Sequence, residues 1–188
     1  MKQYKTKENL LKFLYFTGPL VPLSYYLSYR YFNRYVPIKK LWGNIDKGLQ
    51  SIYTYSMFIT TICFLAIVFF IHTSVNADTK VFGTKFGEGG FDYYFQPLAL
   101  IILPSMIWMP LTYLYLIDGS FLWRYAIVAT LMAVALGSCL LMYALQNTIP
   151  REMINNHLRA RNIAITASKY VAFHLTILDA IYWTYSFF

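Results

Sequence analysis

Three ionisable residues fall inside one apolar stretch late in the chain: Lys169, His174 and Asp179. Ionisable groups at membrane depth are costly and rare, so each is a candidate for chemistry. Asp179 is the foremost of them, because a lone carboxylate there can carry a proton or hold a cation. At ~100° per residue the five-residue spacing sets successive members ~140° apart, so on an α-helix they share no face. The expected polar cluster therefore centres on Asp179, with Thr176 three residues before it, Trp183 about a turn beyond, and His174 near the middle of the same span. Two roles follow for Asp179. It is a proton-titrating or cation-binding group, or it pairs with Arg124, which starts the preceding span on the same side, and fixes helix register. The second is the reading adopted from the residues alone. For His174 the matching expectation is a hydrogen bond to a Ser or Thr of a neighbouring helix.

Other candidate positions are fewer. Pro104, Met106, Trp108, Met109 and Pro110 could line an apolar pocket beside a proline-interrupted helix, although such residues more often face lipid or fill a core. No HExxH or GxSxG motif is present, and no His–carboxylate cluster that would hold a metal; no catalytic residue, metal or cofactor is assigned. The glycines at 83, 87, 89 and 90 match neither phosphate-binding pattern, since no Lys-Ser/Thr follows. Cys63 and Cys139 lie in apolar runs, which points to neither a disulfide nor zinc.

The elements that must position these residues follow from composition. Of 188 residues, 58% are hydrophobic, 20% aromatic and 13% charged, against roughly a quarter charged in an ordinary soluble domain. The expected class is an all-α integral membrane protein. Spans are expected at 51–73, 95–117, 121–145 and 165–188, forming a bundle over 51–188. Residues 1–50 are basic and aromatic. Within them 10–29 are apolar but hold Lys12, Gly18-Pro19 and Pro22, so a re-entrant or interfacial segment is expected there, with a fifth span as the alternative. A short amphipathic interface helix is expected between residues 146 and 162. Tyr53, Tyr55, Tyr93, Tyr94, Trp123, Tyr182, Trp183 and Tyr185 lie toward span ends and are assigned to interface belts. Ala129, Ala133 and Gly137, four residues apart, make a small-residue stripe for close helix packing.

Sixteen Lys and Arg against eight Asp and Glu give a net charge of +8. Nine of the sixteen precede residue 48, mixed with aromatics, which suits anionic headgroups rather than nucleic acid. Four spans and five both place the N-terminal end on the cytoplasmic-type side, with ten basic residues against six. Expected partners are membrane lipids, and other membrane subunits or a second copy. The leading functional expectation is a noncatalytic accessory or scaffold membrane protein. A binder or modifier of a hydrophobic ligand, lipid or sterol, is the second. A small ion- or proton-coupled transporter is the third.

Overall fold

The computed structural model describes residues 7–149 and 155–188. It is an all-helical bundle with three helices long and apolar enough to cross a membrane: α3 (Lys47–Ser74), α4 (Asp92–Asp118) and α5 (Phe121–Gln146). Each is fixed at its ends by local chemistry. The Asp46 carboxylate accepts from the Gly48 and Leu49 amides at 2.8 and 3.1 Å, capping the start of α3. Gly119, at φ 68°, ends α4, and Ser120 accepts from the Leu122 amide to start α5. Asp118 tightens this hairpin by accepting from the Ser120 amide and the Trp123 indole. α4 runs through Pro97, Pro104 and Pro110 without losing its helical assignment.

The last rod is one helical run in three windings: α6 (Asn155–Phe173), a π-helical stretch (His174–Trp183) and α7 (Thr184–Phe187). It begins ten residues before the expected span. Residues 150–154 of the expected interface helix lie outside those described, and the part from Asn155 onward is continuous with this rod.

The N-terminal stretch takes a path that a re-entrant segment does not. α1 (Lys7–Thr17) and α2 (Leu20–Phe32) are separated by Gly18-Pro19, yet together they run alongside α4 from end to end. Phe13 meets Phe95, Tyr25 meets Trp108, and Phe32 stacks on Tyr113 at 5.3 Å. A re-entrant segment returns to the end it came from. These 26 residues would extend ~39 Å as a straight helix, and they finish at the far end of the bundle. Five rods result, each reversing the direction of the one before it in the chain so that the first lies parallel to α4, and Leu10 and Leu14 sit in the same core as α3 to α6.

The two ends are closed differently. At the end holding the α3 C-terminus, β1 (Lys80–Val81) pairs with β2 (Thr84–Lys85) and with β3 (Thr148–Ile149), in the order β2-β1-β3. The two-residue turn between β1 and β2, Phe82-Gly83, has φ of 50° and 80°, the backbone that a tight hairpin needs. Arg161 clamps the carbonyls of Gln146 and Thr148 at 2.8 and 2.6 Å. At the other end, a 3-10 turn (Ile38–Trp42) folds against α7. Gly43 permits this contact: its φ is 54°, and a Cβ there would lie 2.8 Å from the Phe187 Cα.

Small residues bring α4 and α5 together. A Cβ on Gly137 would approach the Pro97 carbonyl oxygen and the Leu100 Cβ to 2.8 Å, so the stripe at this position packs within the chain. Ala133 is half-buried, and Ala129 is exposed.

Candidate functional site

The site is built from α3 and the π-helical stretch. Tyr53 and Ser56 are three residues apart on one face of α3, and both are buried. The Tyr53 hydroxyl donates to Asp179 Oδ1 at 2.5 Å. Ser56 Oγ lies 2.7 Å from His174 Nδ1 and 2.9 Å from the Tyr170 hydroxyl. His174 Nε2 stands 3.6 Å from the same Asp179 oxygen, beyond hydrogen-bonding distance.

This proximity corrects the expectation that His174 and Asp179 share no face. The expectation holds for α-helical winding. The residues between them are π-helical, and a helix closing i→i+5 hydrogen bonds brings residues five apart onto one side.

The proposed Asp179–Arg124 ion pair is also corrected. The Arg124 guanidinium lies over the Phe188 ring, 4.7 Å from its centre. No Lys or Arg pairs with Asp179 among the described residues. Thr176 does not join the Asp179 cluster either, and its hydroxyl faces Cys139 Sγ at 3.6 Å.

Asp179 opens instead onto a cavity of about 160 Å³. Its walls come from every rod and from the 3-10 turn. Tyr25 of α2, Trp42, Tyr53, Trp108 and Trp183 supply aromatic rings, and Met57, Ser105, Met109, Leu131 and Val134 fill between them. Of the pocket residues expected from the sequence, Trp108 and Met109 line this cavity. Pro104 and Pro110 bracket them on α4, and Met106 packs against the hydrophobic core of the opposite half.

The aromatic walls hold one another. Trp183 donates to the Leu41 carbonyl at 3.0 Å, stacks on Phe187 at 4.3 Å and meets Trp108 edge-on at 5.3 Å. Trp42 is edge-on to Tyr53 at 5.7 Å. Trp108 Nε1 is buried and has no hydrogen-bond partner among the described residues. A buried donor left unpaired costs free energy.

Ser56, His174 and Asp179 are the residue types of a hydrolytic triad, but their arrangement does not serve hydrolysis. Ser56 Oγ is buried between Tyr170 and His174, and neither Ser56 nor His174 lines the cavity. A nucleophile needs access to a substrate carbon, which this hydroxyl lacks. Among the described residues no group of His, Cys, Asp and Glu could hold a metal, and both cysteines are free.

Residue type and spacing single out Asp179, His174, Trp108 and Met109, and assign Tyr53, Tyr94 and Trp183 to interface belts. All three are buried, at 5%, 0% and 3% exposure. Tyr94 bonds Thr148 at 2.6 Å, and the other two line the cavity. Tyr55 and Tyr185, also assigned to belts, are 72% and 85% exposed. The signal for Tyr53 was its i, i+3 spacing from Ser56 in an otherwise apolar helix. Comparison of the chain with protein-family models, curated proteins and solved structures finds no match to any of them.

Proposed function

We propose that this chain is a polytopic helical membrane protein whose bundle binds a small hydrophobic or amphiphilic molecule beside Asp179. Support for the membrane comes from what the rods expose. The outward faces of α3 and α5 carry Ile52, Phe58, Ile62, Phe69, Leu122 and Leu136, each more than half exposed. Water penalises such faces and lipid does not. With α1 and α2 running the length of α4, the bundle crosses five times. Among the described residues, the end holding Lys7, Lys80, Lys85 and Arg161 then collects seven basic residues against six, which favours the cytoplasmic-type side for it and leaves the cavity in the opposite half.

The observation that carries the ligand reading is the position of Asp179. A dry pair with Arg124 would favour an accessory or scaffold subunit, whose polar groups serve register alone. Asp179 instead borders a cavity whose walls include Trp108 and Met109. Concave, mostly apolar sites with a few convergent polar groups are where proteins hold small molecules. The volume is close to that of a cavity that takes up benzene, ~150 Å³, so a ring or a headgroup fits and a whole sterol does not.

Native mass spectrometry of the chain released from a mild nonionic detergent tests this reading. The expected spectrum shows a reproducible small-molecule adduct on the parent protein and none on Val134→Phe, which fills the cavity from α5. Other proteins copurifying in both, with no small molecule in either, would refute the ligand reading and make the chain an accessory subunit.

A further inference from the structure

The chemistry of the cavity wall narrows the ligand, given that the cavity is a ligand site. Asp179 is the one charged side chain on the wall, and no Lys or Arg lines it among the described residues. Its Oδ1 is engaged by Tyr53, while His174, off the wall, approaches only to 3.6 Å. The Asp179 side chain is 23% exposed although its neighbour Ala180 is 1% exposed. That exposure is to the cavity. A carboxylate facing a low-dielectric space without a cation is costly, and a cation arriving from outside removes the cost.

The other walls favour an organic cation over a metal ion. Calcium and magnesium take six or more oxygen ligands, or keep several waters. Here the wall offers one carboxylate and the three hydroxyls of Tyr25, Tyr53 and Ser105, and two of these hydroxyls are committed: Tyr53 to Asp179, and Ser105 to the Ile101 carbonyl at 2.6 Å. What surrounds the carboxylate is aromatic. Tyr25, Trp42, Trp108 and Trp183 line the same cavity, and ring faces attract cations within ~6 Å of their centres. A carboxylate with aromatic faces around it suits an alkylammonium group, whose charge is spread over methyl or methylene carbons.

We propose that the cavity binds an alkylammonium compound, with its charge at Asp179 among the Trp rings. About 160 Å³ accommodates a trimethylammonium-ethyl group. Ile38 and Met57 line the cavity and are 43% and 39% exposed, so its rim reaches the bundle surface where an attached chain can leave. The same cation could come as a free small amine or as a lipid-borne headgroup.

Tryptophan fluorescence reads the site directly, because three of the four tryptophans, Trp42, Trp108 and Trp183, line it. The purified protein in a nonionic maltoside micelle is titrated with choline and with 3,3-dimethylbutan-1-ol. The second has the shape and hydroxyl of the first without the charge. Choline is expected to shift the emission saturably and at least tenfold more tightly than the neutral alcohol, and Asp179→Asn to abolish that difference. The parent titrations stand on their own if the variant fails to fold. Dodecyltrimethylammonium binding more tightly than choline supports a lipid-borne source, and weaker binding supports a free amine. Equal affinity for choline and the alcohol would overturn the amine assignment and leave the cavity a ligand site. No response to any cation, with an adduct still seen by native mass spectrometry, would overturn it in the same way.

Discussion

The two halves of this bundle use the same kinds of residues to different ends. In the half closed by the small sheet, Leu10, Ile67, Phe70, Tyr94, Leu98 and Leu141 meet in one core, each at or below 1% exposure. Its buried polar groups satisfy one another across elements, as Tyr94 does with Thr148. In the half closed by the 3-10 turn, aromatic residues are as plentiful, but they surround a space rather than fill it. There the helix winds as a π-helix, a carboxylate lacks a basic partner, and an indole N–H has no acceptor. The core of the first half follows packing rules. The second departs from them at several points, of which the carboxylate and the π-helical stretch meet at one cavity, while the buried Tyr113 hydroxyl, also without a partner among the described residues, lies off it.

The contrast can be broken or sharpened by substitution. The largest effect is expected from Gly137→Leu, which forces α4 and α5 apart where a Cβ alone would meet the Pro97 carbonyl at 2.8 Å. A stability loss of about 3 kcal/mol or more is expected, seen as failure to fold or early thermal unfolding in detergent. Next comes Leu141→Ala in the dry half, expected to cost about 2–5 kcal/mol because a cavity opens in a packed core. A small loss there would mean that the dry half is not the stabilising one.

Val134→Phe in the cavity half should leave the stability unchanged or raise it by about 1 kcal/mol, since it fills existing space. A loss as large as that of Leu141→Ala would erase the contrast. The smallest effect is expected from Arg124→Ala. Its cation–π contact with Phe188 is worth about 0.5–1 kcal/mol, and no buried carboxylate is left without a partner by its removal. A drop of several kcal/mol would reinstate an essential ion pair.

What the sequence reveals here depends on whether the signal lies in residue type or in backbone path. Asp179 stands out because a charge in an apolar run is rare, and three helices stand out as long and apolar enough to cross a membrane. The meeting of His174 and Asp179 was hidden because it depends on π winding, which residue spacing read at α-helical pitch misplaces. Tyr53 and Trp183 were misassigned for a different reason. A membrane interface and the wall of a buried cavity both suit an apolar body with a polar tip, so the residue type does not separate them.

The N-terminal stretch was obscured by Lys12 and Gly18-Pro19. Lys12 lies 2.7 Å from Glu8, with both side chains more than two-thirds exposed, so the charge is never buried. Gly18-Pro19 separates two short helices without turning the chain back. Arg124 was a reasonable partner for Asp179 by side of the bundle, but the ring of Phe188 takes it up instead.

The most direct measurement of the central claim, that Asp179 serves a cavity rather than the fold, is Asp179→Asn followed by thermal unfolding and small-molecule retention on the same sample. Asparagine keeps an acceptor for the Tyr53 hydroxyl. The expected result is an unfolding midpoint equal to or above that of the parent, with the bound molecule lost. A midpoint lowered by many degrees, with the molecule retained, would contradict the account and return Asp179 to a purely structural role.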